Sequence, residues 1–374
     1  MRSQFRIVLL LAVTLLLSCS DDCPCPVKYE DPGQLRYSLG ILRESWTIAS
    51  PPIDVTLRAP RPTRGLYDPA LIWYNPYDQF KRSDIYRDVG SGDEDRTHVL
   101  VLRFDPEESR LFDSTLQNHR DVWAGVMNGR PRGVWDQGQA DYLELRMGVL
   151  SINDDGTFGS TDDQLGTLHI DLGRISEDVN LDGLSNTEDV NRNGTLENAE
   201  DVGLDGVPSG QEDVDGDGIP DTSIVTLPNG VQINDPVGDD WFFSSDSRNF
   251  VERINGTEGN SSDFLLGRPD TEDIGGEGEN DLENAYYAFE IDLADPGDKV
   301  VDGSEKTSDT GLPLVWKTYR IPLWESYEAV DVSGRPDSTN IQYGRLWIDN
   351  AGQRMEVFIA LLDLVTEPPD SVSN

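Results

Sequence analysis

The stretch YLELRMGVL, Tyr142–Leu150, sets the reading of the whole chain. Tyr142, Leu145 and Met147 stand among Glu144 and Arg146, a partial alternation that suits a β-strand with one face toward water. Short runs of the same kind, rich in β-formers and bounded by Gly, Pro, Asn or Asp, recur on both sides of it. Before it come Leu71–Asn75 (LIWYN), Thr97–Phe104 (THVLVLRF) and a weaker run at Ile53–Arg58. After it come Gly166–Leu172 (GTLHIDL), Tyr286–Leu293 (YYAFEIDL), Trp316–Leu323 (WKTYRIPL), Ile341–Asp349 (IQYGRLWID) and Met355–Val365 (MEVFIALLDLV). No long segment carries a 3.6-residue apolar period with caps. The chain is therefore expected to be all-β, an antiparallel β-sandwich of jelly-roll-like order.

Strands before Leu172 must pair with strands after Ala285, because neither half alone supplies two good sheets. Residues 177–284 then read as a long acidic insertion at one end of the sandwich, flanked by residues 65–176 and 285–366. Its first part is EDVNLDGLSNTEDVNRNGTLENAEDVGLDGVPSGQEDVDGDGIPDT, Glu177–Thr222. Glu-Asp-Val occurs there four times, eleven or twelve residues apart, and Arg192 is the one base. Such a segment cannot bury an apolar core, and a structureless loop of this length is improbable in a compact domain unless a metal orders it.

Calcium prefers six to eight hard oxygen ligands around a glycine turn. Asp189, Asn191, Asn193, Gly194 and Glu200 satisfy the D-x-[DN]-x-[DN]-G-x5-E loop in full. Asp178, Asn180, Asp182 and Gly183 begin a second loop, with Asp189 at its twelfth position. Glu212 precedes another at Asp213, Asp215, Asp217 and Gly218, continued by Asp221. Asp201 and Asp205 begin a weaker one, with Gly203 where a ligand should stand; Glu200 would close one site while Asp201 opens the next. Asp273, Glu277 and Asp281 give a degenerate echo. Two or three Ca2+ ions are expected. No helices flank these loops, so a paired EF-hand is not the expectation; the arrangement resembles the tandem calcium repeats of thrombospondin-type modules.

The chain has 374 residues, 70 acidic and 30 basic, for a formal net charge of −40. That surface repels nucleic acid and anionic lipid headgroups, which removes nucleic-acid binding from the candidate functions. Arg2 and Arg6 precede an apolar run, Ile7–Leu17, that is too short for a stable membrane span and right for an export signal over residues 1–18. Leu16-Leu17-Ser18-Cys19 resembles the bacterial lipobox, which implies acylation of Cys19 and a lipid anchor in the outer membrane. Ser20-Asp21-Asp22 is similar to the acidic signal that sends some lipoproteins to the cell surface. Residues 19–64 read as a tether and Pro-rich segment, and residues 367–374 as a tail. Within the tether, Cys23 and Cys25 are too closely spaced for an unstrained mutual disulfide.

A more particular resemblance rests on several motifs in succession. GTLHIDLGRISEDV (Gly166–Val179), RPDTEDI (Arg268–Ile274), AYYAFEIDL (Ala285–Leu293), WKTYRIPL (Trp316–Leu323) and NIQYGRLWIDN (Asn340–Asn350) resemble the repeated module of SprA, and ALIWYNPYD (Ala70–Asp78) does so more loosely. SprA is the outer-membrane protein of gliding motility and type IX secretion. The resemblance implies a sandwich-like extramembrane module in an outer-membrane setting. It does not carry over the translocon activity, because this chain has no set of amphipathic membrane strands.

Catalysis is not the expectation. His98 and His169 lie in strand signals, His119 stands apart, and no nucleophile elbow, His-Glu-x-x-His or phosphate-binding glycine loop occurs. Carboxylate pairs abound, but at this acid density a glycosidase pair carries no information. Trp241-Phe242-Phe243, in the polar insertion, suits either a stacking platform for sugar rings or an apolar anchor onto the sandwich, the anchor being preferred. Trp73, Trp316 and Trp347 are expected in the core. The partners to weigh are the outer membrane through the N-terminal lipid, secretion-machinery proteins and surface glycans.

Overall fold

The computed structural model describes residues 35–53, 70–89, 95–107, 118–129, 137–153, 157–159, 165–213, 217–226, 230–243, 253–261, 268–309, 311–325 and 327–366. Cys19 and the export signal, residues 19–34 and 54–64 of the tether and Pro-rich segment (with the run beyond Ile53), Asp215 and the tail lie outside these residues, whereas residues 35–53 of that segment are described and add strands to both sheets.

In chain order the strands are β1 (Arg36–Ser38), β2 (Thr47–Ile48), β3 (Leu71–Tyr74), β4 (Phe80–Lys81), β5 (Arg96–Thr97) and β6 (Leu100–Phe104). Then follow β7 (Ala124–Gly129), β8 (Tyr142–Ser151), β9 (Thr167–Arg174), β10 (Ile224–Thr226), β11 (Gln232–Asn234) and β12 (Ala285–Asp292). The last are β13 (Lys306–Thr307), β14 (Val315–Pro322), β15 (Glu328–Val330), β16 (Tyr343–Asp349) and β17 (Met355–Val365). A short α-helix, α1 (Arg82–Ile85), stands beside them.

Two antiparallel sheets face each other. One has the order β13-β14-β8-β17-β6-β3, with β1 also on β17; the other has the order β15-β12-β9-β16-β7-β2. From β6 onward, with the edge strands β13 and β15 and the β10–β11 hairpin set aside, the chain alternates sheets, β6, β8, β14 and β17 in the first and β7, β9, β12 and β16 in the second, and of these eight β9 and β12 alone are consecutive in one sheet. That interleaving is the double Greek key of a jelly roll, as the sequence led us to expect. Leu143, Leu145 and Met147 from one sheet and Leu168, Ile170, Leu346 and Ile348 from the other meet in the shared core.

The sequence reading of Tyr142–Leu150 needs one correction. Glu144 and Arg146 do not face water; they are 6% and 3% exposed. Glu144 accepts from Arg36 Nη1 and Arg320 Nε, both at 2.7 Å, while Arg146 donates Nη1 to the Ser304 carbonyl at 2.7 Å and Nε to that of Ile85 at 3.1 Å. Residues around α1 cover that outer face, where Phe80, Ile85, Trp316 and Phe358 form a second apolar cluster. Charges are tolerated under a cover when they are paired and hydrogen-bonded. The expected run Thr97–Phe104 is broken after Thr97, where Asn75 Nδ2 donates to the Val99 carbonyl at 2.9 Å.

Candidate metal centres

Strands β9 and β12 are adjacent, with Arg174 opposite Ala285, so the residues between them leave and rejoin the sandwich at one point. The two arms stay paired beyond the strand ends. Glu177 N–H donates to Asp281 O at 2.8 Å, Glu272 N–H to Asn186 O at 3.0 Å and Glu188 N–H to Asp270 O at 3.0 Å, with a bridge between Thr187 and Thr271. The insertion begins as a stem.

Within it the recurring Glu-Asp pairs divide their work. The glutamates point inward: Glu177, Glu188, Glu212 and Glu272 are at most 2% exposed. Each accepts backbone N–H groups from a distant segment. Glu177 takes Gly275 at 2.7 Å and Asp281 at 2.8 Å. Glu272 answers by taking Val179 at 2.8 Å and Asn186 at 3.0 Å, so the loops headed by Asp178 and Asp273 are locked reciprocally. Glu188 takes Gly203 and Asp270, and Glu212 takes Val237. Burial pushes these carboxyls up, Glu177 to about 7 and Glu188 and Glu212 to about 8, against the hydrogen bonds that favour their charged forms. Among the described residues none of the four has a basic side chain beside it.

The aspartates that follow head the loops. Asp178, Asp189, Asp213 and Asp273 each accept from the N–H groups four and five residues ahead, one on each carboxylate oxygen. The fifth residue ahead is a glycine in every case, Gly183, Gly194, Gly218 and Gly278, with φ between 74° and 90°. That left-handed conformation strains any residue with a Cβ, which explains the invariant spacing within the repeat. The loop tips at Asp189–Thr195 and Asp217–Pro220 face solvent.

In the complete loop Asn191 and Asn193 donate their side-chain amides to Glu197 at 3.0 Å and 2.8 Å, and Glu200 accepts the Asn191 N–H at 3.2 Å. Glu200 is pushed up and Glu197 down by the hydrogen bond between them. Glu197 stands ninth in the loop, a ligand position in such loops that sequence reading passed over. Asp189 commits both oxygens to its own loop. The partner of the Asp178 loop is the sequence-distant loop at Asp273, which carries the residues read as a degenerate echo.

The loop expected at Asp201 does not form. Asp201 accepts from Asn260 N–H at 2.9 Å and Ser261 N–H at 3.2 Å, so it clamps another segment. Gly203 stands at the absent ligand's position because a Cβ there would lie 2.5 Å from Asp239 Oδ2. Asp205 turns instead toward Glu212 and Asp239, and carboxylate oxygens of these three lie within 4.8 Å of one another. Glu212 and Asp239 are each 1% exposed. Asp239 could have been flagged only by its place in the Asp239-Asp240 pair, since no loop pattern includes it. Asp213 and Asp217 sit in their own loop, and Asp221 donates its N–H to Glu212 O at 2.7 Å.

The insertion is pinned to the sandwich by polar and apolar contacts of other residues. Asn255 pairs with the backbone of Trp73 through two 3.0 Å bonds, Arg43 Nη2 donates to Ile254 O at 2.8 Å, and Val179 and Leu204 enter the main core. Trp241 and Phe242 are half-buried and Phe243 is exposed. Trp241 and Phe243 stack at 6.4 Å with 25° between planes, outside the sandwich's apolar clusters. Trp73, Trp316 and Trp347 are buried. His169 stacks on Trp347 at 3.6 Å and bonds Asp349 at 2.9 Å, as a structural histidine does; His119 bonds Glu107 and His98 bonds Gln79.

No protein-family model matches the chain, and no curated protein is significantly similar to it.

Proposed function

We propose that this protein is a calcium-ordered, lipid-anchored module of the outer membrane that acts in surface assembly or adhesion rather than catalysis. One observation carries the calcium reading: four loops of the same internal geometry, each headed by an aspartate, are fastened by buried glutamates that have no basic partner among the described residues. Hard oxygen donors around a left-handed glycine suit calcium over softer metals. The anchor rests on the lipobox at Cys19, and the assembly role on the SprA-like motifs along the strands.

Calorimetric titration of chelator-treated protein with calcium tests the first part. Binding in the micromolar-to-millimolar range is expected, with protection of the segment near Asn193 from proteolysis. Metabolic labelling with a clickable fatty acid tests the second, and the label should disappear in Cys19→Ala. Co-purification of secretion-machinery proteins from outer membranes would support assembly.

A second reading, a glycan-binding surface lipoprotein, has the stacked Trp241 and Phe243 behind it, with one ring exposed for a sugar face. A glycan array on wild type and Phe243→Ala separates the two.

A further inference from the structure

The insertion contains a cluster that differs from the solvent-facing loops in both construction and place. Asp205, Glu212 and Asp239 come from three separate turns, so no single loop pattern contains them. Each has one oxygen engaged: Asp205 Oδ1 accepts Val207 N–H at 2.8 Å, Glu212 Oε2 accepts Val237 N–H at 3.1 Å and Asp239 Oδ2 accepts the Thr257 hydroxyl at 3.4 Å. The remaining oxygens of the two most buried members, Glu212 Oε1 and Asp239 Oδ1, have no hydrogen-bond partner although both lie out of reach of solvent. Buried carboxylate oxygens are paired with a donor or a metal in the great majority of proteins.

No base among the described residues meets this need. Arg253, the nearest described base on the C-terminal side of Asp239, is held by Asp235. The neighbours add to the problem, since Asp235 and Glu258 also face Asp239, and burial together with these charges drives its carboxyl well above the ordinary range.

We propose that Asp205, Glu212 and Asp239 form a buried calcium site, distinct from the linear loops, that locks the inner turns of the insertion together. The donor set is all hard oxygen, which selects calcium or magnesium over zinc or copper. The spread of the donor atoms, within 4.8 Å, fits oxygens about 2.3–2.6 Å from one calcium ion. An ion here would join three pieces of chain. Glu212 holds the Asp221 N–H beside the β10–β11 hairpin. Asp239 pairs with Thr257 and Glu258, next to the Ile254-Asn255 segment that docks on Trp73. Gly203 gives Asp239 room to reach Asp205, and a side chain at 203 would obstruct it.

This inference rests on the reading of the insertion as calcium-ordered, and the test separates the two. The whole chain, stripped with chelator, is titrated with calcium chloride by calorimetry, beside Asp239→Asn, Glu212→Gln and Asp189→Asn. Wild type should bind one equivalent tightly and others more weakly. Asp239→Asn and Glu212→Gln should each weaken the tight equivalent at least tenfold and keep the weak ones, whereas Asp189→Asn should lose a weak one. In chelator the two triad variants should melt higher than wild type, because a buried repelling charge is gone; in calcium they should melt lower. Retention of every equivalent at unchanged affinity in both triad variants overturns the site. Melting lower in both conditions also overturns it, since the carboxylates would then be structural only. If wild type binds only the tight equivalent, the linear-loop reading fails and the triad stands.

Discussion

The sandwich and its insertion handle buried charge in opposite ways. In the sandwich the acids buried in the strands are paired with arginines. Asp171 accepts Arg345 Nε at 2.8 Å and Trp347 Nε1 at 3.0 Å, with the guanidinium over the Tyr286 ring at 4.9 Å, and Glu356 accepts Arg103 Nε at 2.8 Å. In the insertion Glu177, Glu188, Glu212, Glu272 and Asp239 are as deeply buried, and what surrounds them is backbone N–H, a few neutral side-chain donors and more acid. Residues 177–284 hold 28 acidic residues against four arginines and no lysine. One region is electrostatically complete as a polypeptide, and the other is complete only with cations added. An acid can be buried on hydrogen bonds alone, but many together repel one another in a medium that screens them poorly.

The comparison can be broken first at its sandwich side. Arg345→Met should cost about 3–5 kcal/mol, since it leaves Asp171 buried and uncompensated. Denaturant unfolding should give the same loss in calcium and in chelator; rescue by calcium would mean that the sandwich, too, depends on metal. Next in size is calcium removal. At ten times Kd each site contributes about 1.4 kcal/mol, so two or three sites give roughly 3–4 kcal/mol, confined to the insertion. Limited proteolysis should then cut near Asn193 while sandwich fragments persist. Equal cutting rates in calcium and chelator would reduce the repeat to a charged linker.

A smaller effect is expected from Glu272→Ala, which strips the acceptor from the N–H groups of Val179 and Asn186. About 1–3 kcal/mol should be lost, and amide hydrogen exchange at those two positions should quicken. If exchange there is unchanged, the reciprocal locking of the Asp178 and Asp273 loops is not what holds the stem. The smallest effect belongs to Asp189→Ala. Because Asp189 serves its own loop alone, one calcium equivalent should go, with about 1.4 kcal/mol in calcium and almost nothing in chelator. Loss of two equivalents would show that Asp189 also closes the preceding loop.

Much of the sandwich was legible because its strands carry their own signals: LIWY, YLELRMGVL and MEVFIALLDLV each combine β-formers with flanking breakers. Strand β7, AGVMNG, carries none, yet it lies between β16 and β2. Its Gly125 is dictated from across the sheet, where a Cβ would come within 2.6 Å of Trp347 Cβ. Propensity scales cannot register a neighbour more than two hundred residues away. The burial of Glu144 and Arg146 was hidden for the same reason, since a strand's own alternation does not reveal what covers its polar face.

The sequence alone determined the all-β class and the positions of the loop-heading aspartates, because strand alternation and the aspartate-to-glycine spacing are local rules that a short segment satisfies by itself. Tertiary structure alone decided which acids turn inward, why Gly203 replaces a ligand, and that Asp205, Glu212 and Asp239 converge. Glutamate and aspartate side by side in Glu-Asp carry the same charge. Only the backbone N–H groups brought alongside from the other arm of the stem give one of them a buried place and leave the other to head its loop.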